Sequence, residues 1–580
     1  GGTVSPLFTE VIASAATDWN NLLQWDAVAG ASDYNIYSTS TLSSFGFLGT
    51  TGKTRFQDRN VEPDVSVGPP HEYLPFNDPL GTGDYNPGAV GYHQQRRVFG
   101  NTNDAPNRLY FSQTANTYNF ARSHPSRDTD GFNAGILARR INEIKHLVPL
   151  SDLLVLTSGA EYKVTSVNGS ALAPSTVQIV PQSYYGSIDL PPLVSGGAAL
   201  FISPGNYIRD MNYQFSEDKY VARDMTVLAR HLFEDKTMSG WDYASAPSSL
   251  LWLCREDGVA LTMTYQQEQD VYAWAQHTTA GKYKSVAVIR EGNNDVPYFV
   301  VERTINGVTK QFVERLQSRL FDDIQDAAFL DSHLSLDTPL TVTAATAANP
   351  VVITSAGHGL SNGDTVDLAG IMEITSDTNM GEVTSSDYNG VGYTVANKTA
   401  DTFELSGVNG SAFATYSSGG EARKAVTTVS GLWHLDGATV VAAANGVPIT
   451  GLTVTDGVIT LESAASRIHV GLPYTSRLTS LPADFYERGT SAKGRHANST
   501  RATVEVLKSR GMWYGPKADL LREEDGPAAL SGKAPEMTSG EIQVTLKADW
   551  DRQKRVFIEQ RDPMPLTILS LTPDLTVGGL

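Results

Sequence analysis

The chain has a single cysteine, Cys254. One thiol excludes an intrachain disulfide framework. In the run LLWLC (Leu250 to Cys254) it reads as a small buried hydrophobe, with no base-bearing motif beside it to make it a nucleophile. Positive charge is also scarce: 44 Lys and Arg face 63 Asp and Glu, for a net charge of −19. Proteins that hold nucleic acid tightly neutralise its phosphates with a basic surface, and this chain has the reverse. Such a surface is either ordinary solvated acid or one that a polyanion slides past without sticking. No apolar run approaches the ~20 residues of a membrane helix, and nothing near the start reads as a signal peptide. The chain opens Gly1-Gly2 without Met, and residues upstream are expected to be missing. Enzyme signatures are absent too: no G-x-x-x-x-G-K-[ST] loop, no H-E-x-x-H, no G-x-S-x-G elbow and no cysteine pair for zinc.

What is present points to β structure. Hydrophobic content of 41% with 18% charge suits folded globular matter, and 580 residues are too many for one core. Abundant Gly (51), Tyr (24) and Thr-rich runs predict strands joined by tight turns. Asp257-Gly258 reads as a hairpin turn feeding an alternating strand, with Val259, Leu261 and Met263 on one face and Ala260, Thr262 and Thr264 on the other. Between about 85 and 335, units of strand, Gly-containing turn and strand recur at roughly 35 to 50 residues. That interval suits four-stranded propeller blades, with stacked sandwiches as the alternative. Two helices are expected among the strands, one on Met225, Leu228 and Leu232, the other on Leu137, Ile141, Ile144 and Val148.

The expected fold class is mainly β and multidomain. Residues 1–75 carry a Trp-bearing strand, a Gly-Ala turn and the strand YNIY (Tyr34 to Tyr37), resembling part of a fibronectin type III module. Residues 76–337 form the first part of a propeller-like domain. Residues 338–425 are Thr-, Ala- and Gly-rich; the runs Val351 to Ile371 and Asp387 to Leu405 resemble the small β-barrel FCCH-type segment of ubiquitin-activating enzymes, here as an insertion. Residues 426–580, with Asp-Gly turns at 436–437 and 456–457, complete the propeller-like domain and end the chain.

Individual residues tempt a chemical reading and mostly fail it. Asp128, Asp130 and Asn133 offer oxygens for calcium, but Gly131 stands fourth in the run where a hand-type loop wants it sixth, and no Glu closes the cage. His358, in AGHGLSNGD, reads as a turn residue. Glu256 and Asp257 are adjacent at a hairpin tip and face solvent rather than flanking a glycosidic bond. Arg96-Arg97 suits a subunit interface better than DNA. Tyr184-Tyr185 and the Trp residues at 19, 25, 241, 252, 274, 433, 513 and 550 read as core and interface aromatics ahead of sugar platforms. Catalytic, cofactor-binding and metal residues are therefore none, no cofactor is expected, and the chain is read as not an enzyme.

The run REDGVALTMTYQQEQDVYAWAQH (Arg255 to His277) resembles a passage of the tail nozzle proteins (tail tubular protein B family) of short-tailed bacteriophages. DMTVLARHLF (Asp224 to Phe233), FDDIQDAAFLDS (Phe321 to Ser332) and DPMPLTILSLTPD (Asp562 to Asp574) add to the likeness. The resemblance implies a structural virion protein of the tail: a homohexameric ring beneath a tail adaptor ring, in contact with tail fibres or other distal tail proteins and with the host cell envelope. Such a ring retains DNA and then conducts it during ejection, without sequence-specific binding. The alternative is a host-surface glycan-binding or glycan-degrading tail protein.

Overall fold

The structure is a computed structural model. It describes residues 21–577, except 39–44, 60, 68, 70–84, 123–125, 139, 376–381, 386–388, 483–485, 488–489, 492–493, 525, 527–533 and 548–549. The chain is mainly β, in many antiparallel sheets. It divides into two compact units, Gly1–Gln276 with Arg290–Asp295, and His277–Ile289 with Val296–Leu580.

In the first unit two short ladders come first. Asn21–Gln24 pairs with Arg55–Asp58, and Tyr34–Ser38 with Gly46–Thr51. Trp25 packs edge-on against Tyr34 at 5.2 Å. Four up-and-down sheets then follow in chain order, each of four strands. The first sheet holds Ala89–His93, Arg96–Gly100, Arg108–Phe111 and Phe132–Gly135. The second holds Ile144–Pro149, Leu153–Thr157, Glu161–Ser166 and Val177–Ser183. The third holds Leu193–Ser195, Ala198–Ser203, Tyr207–Gln214 and Lys219–Asp224. The fourth holds Met238–Ala244, Leu250–Arg255, Ala260–Gln266 and Val271–His277.

Successive sheets pack face to face. Val98, Phe111, Ile144 and Val155 share a core between the first and second. Leu154, Phe201 and Met211 join the second to the third. Leu200, Ile208, Leu253 and Met263 join the third to the fourth. Central strands such as Leu153–Thr157 and Ala198–Ser203 are buried on both faces, which is why they read as continuous apolar runs without alternation.

In the second unit, Lys282–Glu291, Asn294–Ile305 and Val308–Arg315 form a three-stranded sheet, with the tip of its first hairpin grouped with the first unit. Asn306 and Gly307 close its second hairpin with φ of +48° and +79°, the left-handed pair that a two-residue turn demands. The next sheet is built from distant stretches, in the order Asp331–Leu336, Ile468–Leu472, Thr439–Ala444, Val447–Thr453. Between those stretches lies a separate core of Val342, Val351, Ile353, Leu360, Val366, Val395, Phe403 and Ala422. Its strand path runs open from Leu340–Thr341 to Ala344–Ala345, so hydrogen bonding among the described residues does not close it into the expected barrel. The chain ends in two further sheets around Ala502, Val504, Tyr514 and Ile558.

Both expected helices are corrected. Residues 144–149 form a strand paired with Leu153–Thr157, while Leu137 is 98% exposed. The helical spacing there is coincidental, and a hairpin onto a fully apolar strand buries more than one helix face would. The other stretch, Val227–Leu232, is two short 3-10 turns kinked at non-helical Ala229, burying Leu232 and leaving Leu228 96% exposed.

Candidate interaction surface

The hairpin of Tyr207–Gln214 and Lys219–Asp224 in the third sheet has two chemically unlike ends. Cross-strand pairing runs from Arg209 opposite Asp224 at one end to Gln214 opposite Lys219 at the other.

At the first end, cations and rings are stacked. The Arg209 guanidinium lies 3.4 Å from the Tyr185 ring centroid and 5.7 Å from that of Tyr207. Its Nε donates to Ser203 Oγ at 3.1 Å. Arg230, on the short segment after the hairpin, lies 4.1 Å from the Tyr207 centroid. Among the described residues neither guanidinium forms an ion pair. The turn presenting Tyr185 is held from beneath by Glu161, which is wholly buried and accepts from Ser183 Oγ (2.5 Å), Tyr185 N (3.2 Å) and Gly186 N (2.7 Å). Burial raises its carboxyl pKa, against the lowering effect of those hydrogen bonds and of Arg209. Gly186 has φ +81°, and a Cβ there would meet Ser158 O at 2.4 Å, so only glycine fits this turn. Val227 and Leu228, on the same short segment as Arg230, are exposed.

At the other end the turn from 215 to 218 presents Phe215, 90% exposed, with Glu217 and Asp218. Asp218 has φ +50° and accepts from Tyr213 Oη at 2.5 Å, while Glu217 meets Lys219 at 2.7 Å.

Residues singled out in the sequence take other places. Arg96 is not an interface residue: it is 1% exposed and donates to the carbonyls of Ser112 (2.6 Å), Asp130 (2.7 Å) and Asp128 (2.6 Å), with its guanidinium over Phe132. A buried guanidinium has five N–H groups to satisfy, and Ser112 together with the 127–131 turn supplies acceptors. Arg97 lies over Tyr118 at 4.4 Å and Tyr92 at 5.4 Å. Asp130 Oδ2 accepts from Arg127 N, and Asp128 Oδ1 from Ser175 Oγ, so two of the oxygens considered for calcium shape the turn. Asn133 lies in the strand Phe132–Gly135. His358 accepts from Leu360 N through Nδ1 (3.0 Å) and donates through Nε2 to Thr402 O (3.3 Å), clamping its turn.

Glu256 is exposed. Asp257 is gripped at both oxygens by Arg255, with Lys236 at 3.3 Å. The Arg255 hydrogen bonds outweigh burial and hold its carboxyl at about 2. It is therefore no proton donor near neutral pH. Trp241 and Trp252 are buried, Trp25, Trp274 and Trp513 half-buried, and Trp433 and Trp550 exposed; Trp19 lies outside the described residues.

Sequence reasoning missed Arg209, Tyr207 and Arg230, because stacking depends on which strands pair and at what register. It also missed three ion pairs, each with one buried member. Asp210, wholly buried, meets Arg223 Nη2 at 3.0 Å, and Arg303 joins Glu314 and Asp331. Burial raises the Asp210 carboxyl, opposed by Arg223.

No family model matches this chain, and no curated protein matches it. Among solved structures it is similar to a chain in a S. cerevisiae complex of dbp5 with nup159, gle1, IP6 and ADP. Identity there is 9% over 54% of this chain and 78% of that one, with a TM-score of 0.22. An exo-β-1,3-galactanase of Phanerochaete chrysosporium with galactose gives 9% identity over 58% and 95%, TM-score 0.20. A GH32 β-fructofuranosidase of Bombyx mori gives 8% over 85% and 91%, TM-score 0.14. Likenesses this slight carry no argument about what the chain does.

Proposed function

We propose that this chain is a structural virion protein, the distal nozzle of a short phage tail. It assembles as a homohexameric ring whose channel retains DNA and then conducts it into the host. On this reading the face-packed sheets are blades of a propeller-like body, residues 1–75 a fibronectin-like module and 338–425 an insertion. The ring seats beneath a tail adaptor ring and meets tail fibres, other distal tail proteins and the host envelope.

The observation that supports it best is the run of consecutive four-stranded up-and-down sheets, followed by a sheet in which Asp331–Leu336 pairs with Ile468–Leu472 across the intervening core. Such frames leave few exposed edges, which suits a fixed ring under pressure. The net charge of −19 supports the conduit role, since a lumen poor in Lys and Arg does not trap phosphates.

The test is electron microscopy of the purified chain, without imposed symmetry, with duplex-binding measurements at several salt concentrations. A ring with an acidic or neutral lumen and negligible duplex affinity is expected. A monomer at every concentration, a lumen studded with Arg and Lys, or steeply salt-dependent duplex binding overturns the reading. Hydrolysis of host polysaccharide that one carboxylate substitution abolishes would favour a glycan-degrading tail protein instead.

A further inference from the structure

Copies of so acidic a chain repel one another, and at 0.1 M salt the screening length of about 10 Å leaves close pairs unscreened. Stable contact between copies therefore calls for cations kept free for it. Arg209 and Arg230 fit that description. Each is stacked on tyrosine, and stacking uses the face of the guanidinium while leaving in-plane N–H groups to donate. Arg209 spends only Nε, on Ser203, among the described residues. On the segment that carries Arg230, Val227 and Leu228 expose apolar surface. Tyr and Arg around an apolar patch are the composition of interface hot spots.

We propose that the Phe215–Asp218 turn of one copy docks onto the Tyr185–Arg209–Tyr207–Arg230 stack of the next, head to tail. The turn carries the matching chemistry: one nearly fully exposed ring for Val227 and Leu228, and the carboxylates of Glu217 and Asp218 for the guanidinium edges. Lys219 offsets Glu217 only in part, because an exposed pair of that kind is weak. The placement matters as much as the chemistry. Stack and turn lie at opposite ends of one hairpin, roughly 25 Å apart for an eight-residue strand. A contact joining unlike ends is heterologous, and repeated copy to copy it closes into a ring when the rotation allows. This inference rests on the ring reading and says which surfaces make it.

The test compares the molar mass in solution of four full-length chains, by light scattering across a concentration series. They are the native chain, Arg209→Glu/Arg230→Glu, Glu217→Lys/Asp218→Lys, and the chain carrying all four changes. The native chain is expected as rings. Each double variant should self-associate at least about tenfold more weakly, and the fourfold swap should recover rings. Mixing the two double variants is the sharper test. The intact turn of one fits the intact stack of the other, and the lysine turn fits the glutamate stack, so the mixture should form rings that neither variant forms alone. That outcome also shows both variants folded, and Arg230→Glu alone, at an exposed site, guards against loss of fold around buried Glu161. Rings from both double variants overturn this inference and leave the ring reading standing. A native chain that never assembles overturns both. Duplex DNA binding that the arginine variant loses, with its assembly intact, makes the stack a polyanion site and overturns the docking.

Discussion

Arg303 Nη2 donates to Asp331 Oδ1 at 2.9 Å, joining the middle strand of the three-stranded sheet to the first strand of the next. The same guanidinium donates from Nε (2.6 Å) and Nη2 (2.7 Å) to Glu314, and from Nη1 to Ala280 O at 3.3 Å. Asp331 in turn accepts from Thr279 Oγ1 at 2.7 Å. Burial works against the charged guanidinium, and the two carboxylates more than offset it, so its pKa is raised.

Arg303→Ala leaves two carboxylates facing one another without their cation. Breaking a buried pair this way costs about 3–5 kcal/mol, whereas Thr279→Val, which removes one hydrogen bond, costs about 1 kcal/mol. Denaturant titration of both variants checks the order. A loss below that of Thr279→Val would show that the cluster is ornamental.

The core around Val351 and Phe403 should be removable. Leu340 pairs with Ala422 and Thr341 with Glu421, and Asp337 Oδ1 accepts from Arg423 Nε at 2.6 Å, so the chain enters and leaves on adjacent, clamped strands. Joining Thr341 to Glu421 through a two-residue Asn-Gly turn closes that gap. Thermal unfolding of the shortened chain should move by less than about 4 °C, the shift that ~1 kcal/mol produces at this scale. A collapse of the remaining transition would mean that the segment is integral.

Half-buried His277 supplies a pH dependence. Burial lowers its pKa to about 4, with Arg319 adding to the effect. Between pH ~6.5 and about 4 the unfolded chain takes up a proton that the folded chain refuses, so stability falls as pH drops through that window. Melting curves from pH 7.5 to 4.5 should show a shallower fall in His277→Gln than in the native chain. Parallel curves would remove His277 from the account.

Cys254 is wholly buried in the strand Leu250–Arg255, and burial pushes its thiol up to about 12. Thiol reagents should label the native protein less than about 1% as fast as the denatured one, because access requires opening of the strand. Rapid native labelling, read by mass spectrometry, would contradict that burial.

Much of the β framework was legible because its signals are local. Asp257-Gly258 turns where its letters say it should, and Asp456-Gly457 does likewise, with both residues at positive φ. The mistaken helix at 137–148 shows the limit. Ile144 and Val148 satisfy a helical spacing, yet a partner strand nine residues downstream decides the outcome. The interaction surface was less legible still. Tyr184-Tyr185 drew attention as exposed aromatics, but nothing in the letters brings Arg209 onto Tyr185, which depends on how the second and third sheets meet. Arg96 misled for the converse reason: an Arg pair on a strand reads as surface, and the carbonyls that explain its burial come 16 to 34 residues later.

The pairing of Asp331–Leu336 with Ile468–Leu472 sets a timetable for synthesis. The first strand leaves the ribosome with its intended neighbour still to be translated, and at about 5–20 residues per second that wait lasts roughly 7 to 26 s. Throughout it, the nascent chain carries an open strand edge, the template for wrong pairing, while the segment around Val351 can already collapse on its own core. Translation speed across 337–467 thus becomes a determinant of yield: a slow stretch lengthens the exposure, and a fast one shortens it.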